Sequence, residues 1–142
     1  MKIIDPDYES RIRSSFAKQG VMQTFGARLV KVAPREVVIE FAYTPSLSQQ
    51  HGYIHAGAIT TVVDSACGYA AYTLMAADSE VLTIEYKVNF MSPARGEMFR
   101  CIGRVLRAGR TITVCSGDVV AVAGGEEKVV ATMLATMIEV AK

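Results

Sequence analysis

The fold of this chain is set by residues 49–68, which read QQHGYIHAGAITTVVDSACG. His55 stands just before an apolar run of small residues, and Asp64 is the single charge inside that run. A carboxylate is costly to bury unless it has partners or a chemical task. The stretch therefore predicts a buried helix that carries one candidate functional acid.

This helix is predicted over about residues 56–75. Apolar side chains recur at helical spacing along one side, at Ile59, Val62, Val63, Ala66, Ala70 and Leu74. The opposite side holds a single charge, among Thr61, Asp64, Gly68 and Tyr72. A helix that is largely uncharged all round is expected to be buried nearly all round.

The flanking residues predict an antiparallel sheet. A first helix from Asp5-Pro6 to about Lys18, ended by Gly20, precedes a hairpin with strands at 27–32 and 37–43. Further strands are predicted after the central helix, at residues 83–90, 97–106, 111–122 and 128–140. Strands grouped around one helix indicate an α+β fold, and the 142 residues suit a single domain, 1–142.

The strand at residues 83–90 alternates regularly between apolar and polar side chains. One face is expected to carry Ile84, Tyr86, Val88 and Phe90. The other face is expected to carry Thr83, Glu85, Lys87 and Asn89. This alternation is typical of a β-strand.

Charge and composition limit the possible functions. Fifteen Lys and Arg against fourteen Asp and Glu give a net charge of +1, which does not support a nucleic-acid surface. Asp64 interrupts the longest apolar run, and the first ten residues lack a signal-peptide pattern. We therefore expect a cytoplasmic protein with neither a nucleic-acid nor a membrane partner.

The three cysteines predict core residues. Cys67, Cys101 and Cys115 are odd in number and have no C-x-x-C spacing, which argues against disulfides and a zinc site. A nucleophilic Cys67 is disfavoured because no base is placed near it. GxSxG, HExxH and P-loop motifs are absent, and no metal is expected.

Two residues of the central stretch have both a structural and a chemical interpretation. His55 could simply cap a loop, but the N–H groups of a helix start can also polarise a carbonyl. Asp64 could pair with a strand or an arginine, but its small neighbours also let a ligand approach. The arginines around the 108–110 turn, Arg104, Arg107 and Arg110, matter only if an anionic ligand is bound.

Residues 55–68, HAGAITTVVDSACG, resemble the HGG…D…G signature of hotdog-fold acyl-CoA thioesterases. The similar branch is the PaaI-like and 4-hydroxybenzoyl-CoA thioesterase type. Residues 83–96, TIEYKVNFMSPARG, are similar to its third strand and turn, and residues 107–111, RAGRT, to its hairpin. The resemblance covers about residues 20–140 and implies an antiparallel sheet wrapped around a long central helix.

The resemblance also implies roles for individual residues. The reaction would be hydrolysis of an aryl- or medium-chain acyl-CoA, with no cofactor because coenzyme A is part of the substrate. Asp64 would act as general base or nucleophile, and the Ala56 N–H, following His55, would polarise the carbonyl. Gln49 would place water or substrate, and Thr83 would hold the water. Substrate or CoA contacts are implied for Gly57, Gly68, Asn89, Gly109 and Arg110.

Finally, the resemblance implies a homodimer joined at the sheet edges, further paired into a homotetramer, with active sites between subunits. Ala56 stands where the family usually has glycine, and alanine supplies the same N–H provided that its φ is negative. The alternatives are a non-catalytic acyl-CoA binder and another hotdog enzyme, such as a hydratase or dehydratase. The His and carboxylate arrangement of such a hydratase is not found in the sequence.

Overall fold

The chain forms one antiparallel sheet around a central helix in the computed structural model, which describes residues 3–142. Its elements, in chain order, are α1 (Tyr8–Lys18), α2 (Gly20–Phe25), β1 (Arg28–Ala33), β2 (Glu36–Ala42), a 3-10 turn (Pro45–Leu47), α3 (Ala56–Tyr72), β3 (Ser79–Phe90), β4 (Met98–Ala108), β5 (Ile112–Ala123) and β6 (Glu126–Ala141). The six strands lie in the order β1-β2-β4-β5-β6-β3. The predicted α+β hotdog architecture is confirmed.

Helix α3 packs directly on the sheet because two glycines face it. A Cβ on residue 103 would lie 2.3 Å from the carbonyl carbon of Ala66, and one on residue 117 would lie 2.6 Å from Val63 Cγ2. Twelve of the 17 residues of α3 are buried, which confirms the prediction of a helix buried nearly all round. The helix ends at Tyr72, three residues before the predicted end, where the backbone tightens into a turn.

The N-terminal region contains two helices instead of the single one predicted. Gln19 adopts an extended backbone, with φ −80° and ψ 101°, and this residue ends α1. Gly20 then begins α2, which ends at Phe25 and is capped by Gly26 in the left-handed conformation, with φ 62°. The predicted hairpin is confirmed as β1 and β2, although Arg35 in its turn has a φ of 72°.

Strand β3 forms one edge of the sheet and contains a bulge. Its pairing with β6 shifts register between Thr83 and Glu85, so Ile84 is an extra residue. Thr83 lies opposite Met137, which is fully buried on the face that packs against α3. The prediction that Thr83 shares a face with Glu85 is therefore wrong, because the bulge turns Thr83 toward the helix. From Glu85 to Phe90 the side chains alternate between the two faces of the sheet as predicted, but the apolar face is largely uncovered in one chain, with Tyr86 and Phe90 each 48% exposed.

The three cysteines are fully buried and free, which confirms them as core residues. Burial raises the pKa of the Cys67 thiol, and it raises that of Cys115 to about 12. A thiol with so high a pKa is a poor nucleophile. Within residues 3–142, none of the helices combines the length and apolar character needed to cross a membrane.

Candidate active site

The start of α3 is capped by the side chain of His55. The Nδ1 atom of His55 accepts from the Gly57 N–H at 2.8 Å, and the His55 N–H donates to the Leu47 carbonyl at 2.9 Å. A Cβ on residue 57 would lie 3.0 Å from Nδ1, so glycine lets the imidazole approach the helix end. In the neutral imidazole the proton is therefore on Nε2.

The capping arrangement leaves the Ala56 N–H unpaired. Gly57 donates to the His55 ring, and Ala58 donates to the His55 carbonyl at 2.9 Å. No acceptor for the Ala56 N–H exists in the described part of the chain. Arg35 is the only non-glycine residue with positive φ in residues 3–142, so alanine at position 56 causes no backbone strain. The Ala56 N–H is thus a free donor at the positive end of the helix dipole.

Gln49 approaches the same helix end from the preceding loop. Its Oε1 atom accepts from the backbone N–H groups of His51 and Tyr53, at 2.5 and 3.3 Å. Its Nε2 atom has no acceptor among residues 3–142. Gln49, His55 and Ala56 line one open pocket of about 630 Å³. The first half of the candidate site therefore presents N–H donors from Gln49, His55 and Ala56, and its lining in the described residues includes no Asp or Glu.

The second half of the site is built around Asp64. The Thr83 hydroxyl donates to Asp64 Oδ1 at 2.8 Å, a contact that the β3 bulge makes possible. Burial raises the pKa of Asp64, and the Thr83 hydrogen bond opposes part of this rise. Asp64 has no cationic partner within residues 3–142. A half-buried carboxylate of raised pKa is suited to proton transfer.

Gly68 lies one helical turn after Asp64 on the same side of α3. Both line a cavity of about 290 Å³, together with Thr83. A Cβ on residue 68 would have no atom within 4 Å, so this glycine leaves open space beside the acid. Gly68 therefore belongs to the Asp64 half of the site.

The two halves lie apart within one chain. Ala56 and Asp64 are separated by eight residues of one helix, a distance of about 12 Å along its axis. A carbonyl that accepts a hydrogen bond from Ala56 is therefore out of reach of Asp64 in the same chain. One chain brings together Asp64, Thr83 and Gly68, and separately Gln49, His55, Ala56 and Gly57.

Three other predicted contact residues lie elsewhere. The Asn89 side chain accepts from Lys87 Nζ at 3.1 Å and does not line either pocket. Gly109 and Arg110 form the tight β4–β5 turn, where the Gly109 N–H donates to the Ile112 carbonyl at 2.7 Å. That turn borders the end of β6, through the bond from Glu139 to Thr111, whereas His55 lies near the start of β4.

Several residues that the sequence patterns did not single out border these pockets. Arg95 and Lys128 line a further pocket of about 390 Å³, which shares Tyr53 and Pro93 with the pocket at the helix start. Ser15, Gln19 and Tyr69 line the cavity beside Asp64. A tyrosine inside a buried helix was the one available signal, because a buried phenol usually has a hydrogen-bond partner.

The sequence pattern of the Thioesterase superfamily matches residues 51–128. A thioesterase family protein from Silicibacter pomeroyi is 47% identical, with a TM-score of 0.94, and the match covers 95% of this chain and 99% of that one. A Saccharolobus solfataricus protein, named only as a candidate esterase, is 30% identical over 94 residues, 66% of each chain. The 1,4-dihydroxy-2-naphthoyl-CoA hydrolase of Listeria monocytogenes is 21% identical, over 67% of this chain and 77% of that protein.

The match to more than half of the chain, together with the fold, shows the family. This chain belongs to the thioesterase superfamily. The predicted resemblance is confirmed, and so is the prediction of an enzyme that hydrolyses thioester bonds.

Proposed function

We propose that this protein is an acyl-CoA thioesterase whose active site is completed by a second copy of the chain. The observation that carries this proposal is Asp64, a half-buried carboxylate of raised pKa with a hydroxyl partner, lining a cavity. In a thioesterase-superfamily chain, such a carboxylate is the group best suited to activate water. The acyl-CoA is the substrate, and no separate cofactor takes part.

The proposed chemistry uses one half-site from each subunit. The thioester carbonyl oxygen accepts from the Ala56 N–H of one subunit, which stabilises the oxyanion. Asp64 of the other subunit takes a proton from water while the water oxygen bonds to the carbonyl carbon. The carbon–sulfur bond then breaks, and the thiolate receives the proton. Direct attack by Asp64 on the carbonyl is the nucleophilic variant of the same step.

The exposed edge of β3 supports the dimer. This 12-residue strand pairs on one side only, with β6. Its exposed apolar side chains have 48–58% of their surface accessible, at Leu82, Ile84, Tyr86 and Phe90. A long apolar edge strand is open to pairing with another strand. We propose that two β3 strands join the sheets of a homodimer, and that dimers pair into a cytoplasmic homotetramer.

The pocket that holds Arg95 and Lys128 supports a position for the CoA phosphates. It continues from the helix start across Tyr53 and Pro93. Neither cation is in an ion pair within residues 3–142, whereas Arg104 is paired with Glu36 and Asp118. The groove is lined by these two cations and by one carboxylate, that of Glu126, and its excess of positive charge favours a phosphorylated ligand. In this arrangement, Gly109 and Arg110 would reach the CoA only from the partner subunit.

The alternative of a non-catalytic acyl-CoA binder has less support. The binder alternative arises because alanine replaces the usual glycine at position 56. The φ of Ala56 is negative, so its N–H group is still available to polarise a carbonyl. The decisive experiment measures free-thiol release from a panel of aryl- and alkyl-CoA thioesters. The Asp64→Asn and Asp64→Ala variants are compared with the wild type.

We expect each Asp64 variant to lower kcat by about 10²–10⁴-fold, the usual contribution of a general acid–base group. Asp118→Asn is the matched control, because Asp118 bonds Thr132 and does not line the two half-sites. Near-normal turnover in a folded Asp64→Asn protein would contradict the assignment. Acyl-CoA binding by the wild type without any turnover would favour the binder.

A further inference from the structure

The cavity beside Asp64 has a polar wall formed by the N-terminal helices. Ser15 of α1 and Gln19, just after α1, line this cavity together with Tyr69 of α3. Gln19 Nε2 donates to Tyr69 Oη at 3.0 Å, and Ser15 Oγ lies 3.0 Å from the same oxygen. Ser65 Oγ donates to Gln19 Oε1 at 2.9 Å, which turns the amide nitrogen toward Tyr69. We call Ser15, Gln19 and Tyr69 the polar wall.

Two donor hydrogens of the polar wall have no acceptor in the described part of the chain. The Gln19 amide carries two N–H groups, and Tyr69 accepts only one of them. Ser15 and Tyr69 each carry one hydroxyl hydrogen, and the bond between them uses one of the two. Within residues 3–142, no further acceptor is bonded to the remaining amide hydrogen or to the remaining hydroxyl hydrogen. These two hydrogens are available to an oxygen in the cavity.

The charge of the cavity restricts what that oxygen can belong to. Asp64 and Glu80 are the ionisable acids that line it, and its lining in the described part of the chain includes no lysine or arginine. Burial raises the pKa of Tyr69, so its phenol stays neutral and keeps its hydrogen at physiological pH. A neutral hydroxyl or carbonyl oxygen fits this cavity, whereas an anionic group would meet two carboxylates.

The position of the cavity makes it the acyl pocket of the proposed enzyme. An acyl group whose carbonyl carbon lies beside Asp64 extends along α3 over Gly68, where no side chain stands in its way. Tyr69 is the next residue of the helix, so the far end of a short acyl group meets the polar wall. The volume of about 290 Å³ is at the small end of ligand pockets.

We propose that Ser15, Gln19 and Tyr69 determine acyl specificity, by hydrogen bonding to a neutral oxygen at the far end of the acyl group. This inference rests on the proposed thioesterase function. It assigns the selection to Ser15 and Gln19 near the α1–α2 junction and to Tyr69 of α3, outside the residues that carry out the hydrolysis. Hydroxylated acyl groups are preferred over their unsubstituted parents, and carboxylated acyl groups are rejected.

The test compares matched acyl-CoA pairs that differ by a single oxygen. Suitable probes are phenylacetyl-CoA with its ring-hydroxylated forms, and hexanoyl-CoA with 6-hydroxyhexanoyl-CoA. We expect the wild type to favour the better hydroxylated member by about tenfold in kcat/KM, the value of about one hydrogen bond. Adipoyl-CoA, which places a carboxylate at the same end, is expected to be the poorest of the aliphatic set.

The variants Tyr69→Phe and Gln19→Leu remove wall donors while keeping the shape of the side chains. Both are expected to bring the kcat/KM ratio of each pair close to one. Tyr43→Phe is the control, because it removes the hydroxyl of another half-buried tyrosine, which packs on the core and does not line the cavity. The control is expected to keep the wild-type ratio. A merely structural role would alter stability in all three variants without changing the ratio.

Equal rates for both members of every pair in the wild type would overturn the inference. An unchanged ratio in the Tyr69→Phe variant would overturn it as well. The proposed thioesterase function is judged separately, by whether any hydrolysis is lost in the Asp64→Asn variant. If the wild type does not turn over, affinities of the same pairs for Asp64→Asn decide the question, since the wall would still favour the hydroxylated member about tenfold.

Discussion

Ala56 contributes a backbone atom to the proposed site, so its role is tested by removing the N–H group itself. Proline at position 56 does this while suiting the first position of a helix. His55 already has the extended backbone that a following proline requires, with φ −59° and ψ 138°. We therefore expect Ala56→Pro to fold normally and to lower kcat by about 10²–10³-fold, the loss for one oxyanion donor.

The measurement is steady-state thiol release, with thermal unfolding run in parallel. Ala56→Gly serves as the control, since it keeps the N–H group and is expected to retain activity. If a folded Ala56→Pro protein turns over at the wild-type rate, another group must stabilise the oxyanion.

The raised pKa of Asp64 predicts the pH dependence of the reaction. Burial is the larger cause, and the Thr83 hydrogen bond lowers the pKa in part. Since a general base must be deprotonated, kcat/KM is expected to fall on the acid side at a pH above the ordinary value of 3.8. Thr83→Val removes the opposing hydrogen bond, so its acid limb should lie at a higher pH than that of the wild type. An unshifted limb would mean that another group controls the profile.

The same shift has a consequence for stability. The folded protein holds the Asp64 proton more tightly than the unfolded chain does, so the free energy of unfolding falls as the pH rises through the raised pKa. Asp64→Asn is expected to remove this fall and to be more stable than the wild type above that pH. Urea unfolding of both proteins across the pH range measures the difference. If the wild type and the variant have the same free energy of unfolding at every pH, ionisation of Asp64 does not destabilise the folded protein.

At the scale of elements, the contact between α3 and β4 depends on the absence of a side chain at position 103. A Cβ there would lie within 2.5 Å of the backbone of Ala66 and Cys67, which cannot move without the helix. We expect Gly103→Ala to lower the free energy of unfolding by about 3 kcal/mol, the upper end for overpacking. Gly20→Ala is the control, because its Cβ would meet no atom within 4 Å. Equal stabilities of the two variants in urea would disprove the close contact.

The elements themselves were largely predictable from hydrophobic periodicity. The central helix and the antiparallel strands follow from local patterns, and the buried Asp64 follows from its apolar neighbours. The sequence predicts the end of α1 near Lys18, but it does not predict the second helix, Gly20–Phe25, because Gly20 is expected to end the helical region. The extended backbone of Gln19, which separates the two helices, is explained by its contacts with Ser65 and Tyr69. Those partners are 46 and 50 residues away in the chain.

The bulge in β3 shows the same limit within the candidate site. Strict alternation predicts Thr83 on the face of Glu85, although the resemblance implies that Thr83 holds the water in the active site. The extra residue Ile84 explains the difference, because the bulge puts Thr83 and Glu85 on opposite faces of the sheet. A bulge has no reliable sequence signal, so the Asp64–Thr83 hydrogen bond emerges only from the folded sheet.

At the scale of the whole molecule, the proposed division of the site between subunits predicts that two inactive variants complement each other. Asp64→Ala and Ala56→Pro remove different halves of every proposed site. A mixed dimer of the two variants contains one site with both halves intact. Random exchange of subunits is then expected to restore about a quarter of the wild-type activity, since half of the dimers are mixed and each has one of two sites.

The two variants are denatured, mixed and refolded together, and activity is compared with each variant refolded alone. A mixture that stays as inactive as its components, while forming dimers, would show that each site is made within one chain. Mixing Asp64→Ala with Asp64→Asn is the control, because no mixed dimer of these two has an intact site.

Helix α3 carries the proposed oxyanion donor at its first residue and the proposed base two turns later. In the proposed dimer these two groups act on different thioester carbonyls. Each of the two helices therefore takes part in both reaction centres, and a substitution that displaces one helix is expected to affect the turnover of two substrates.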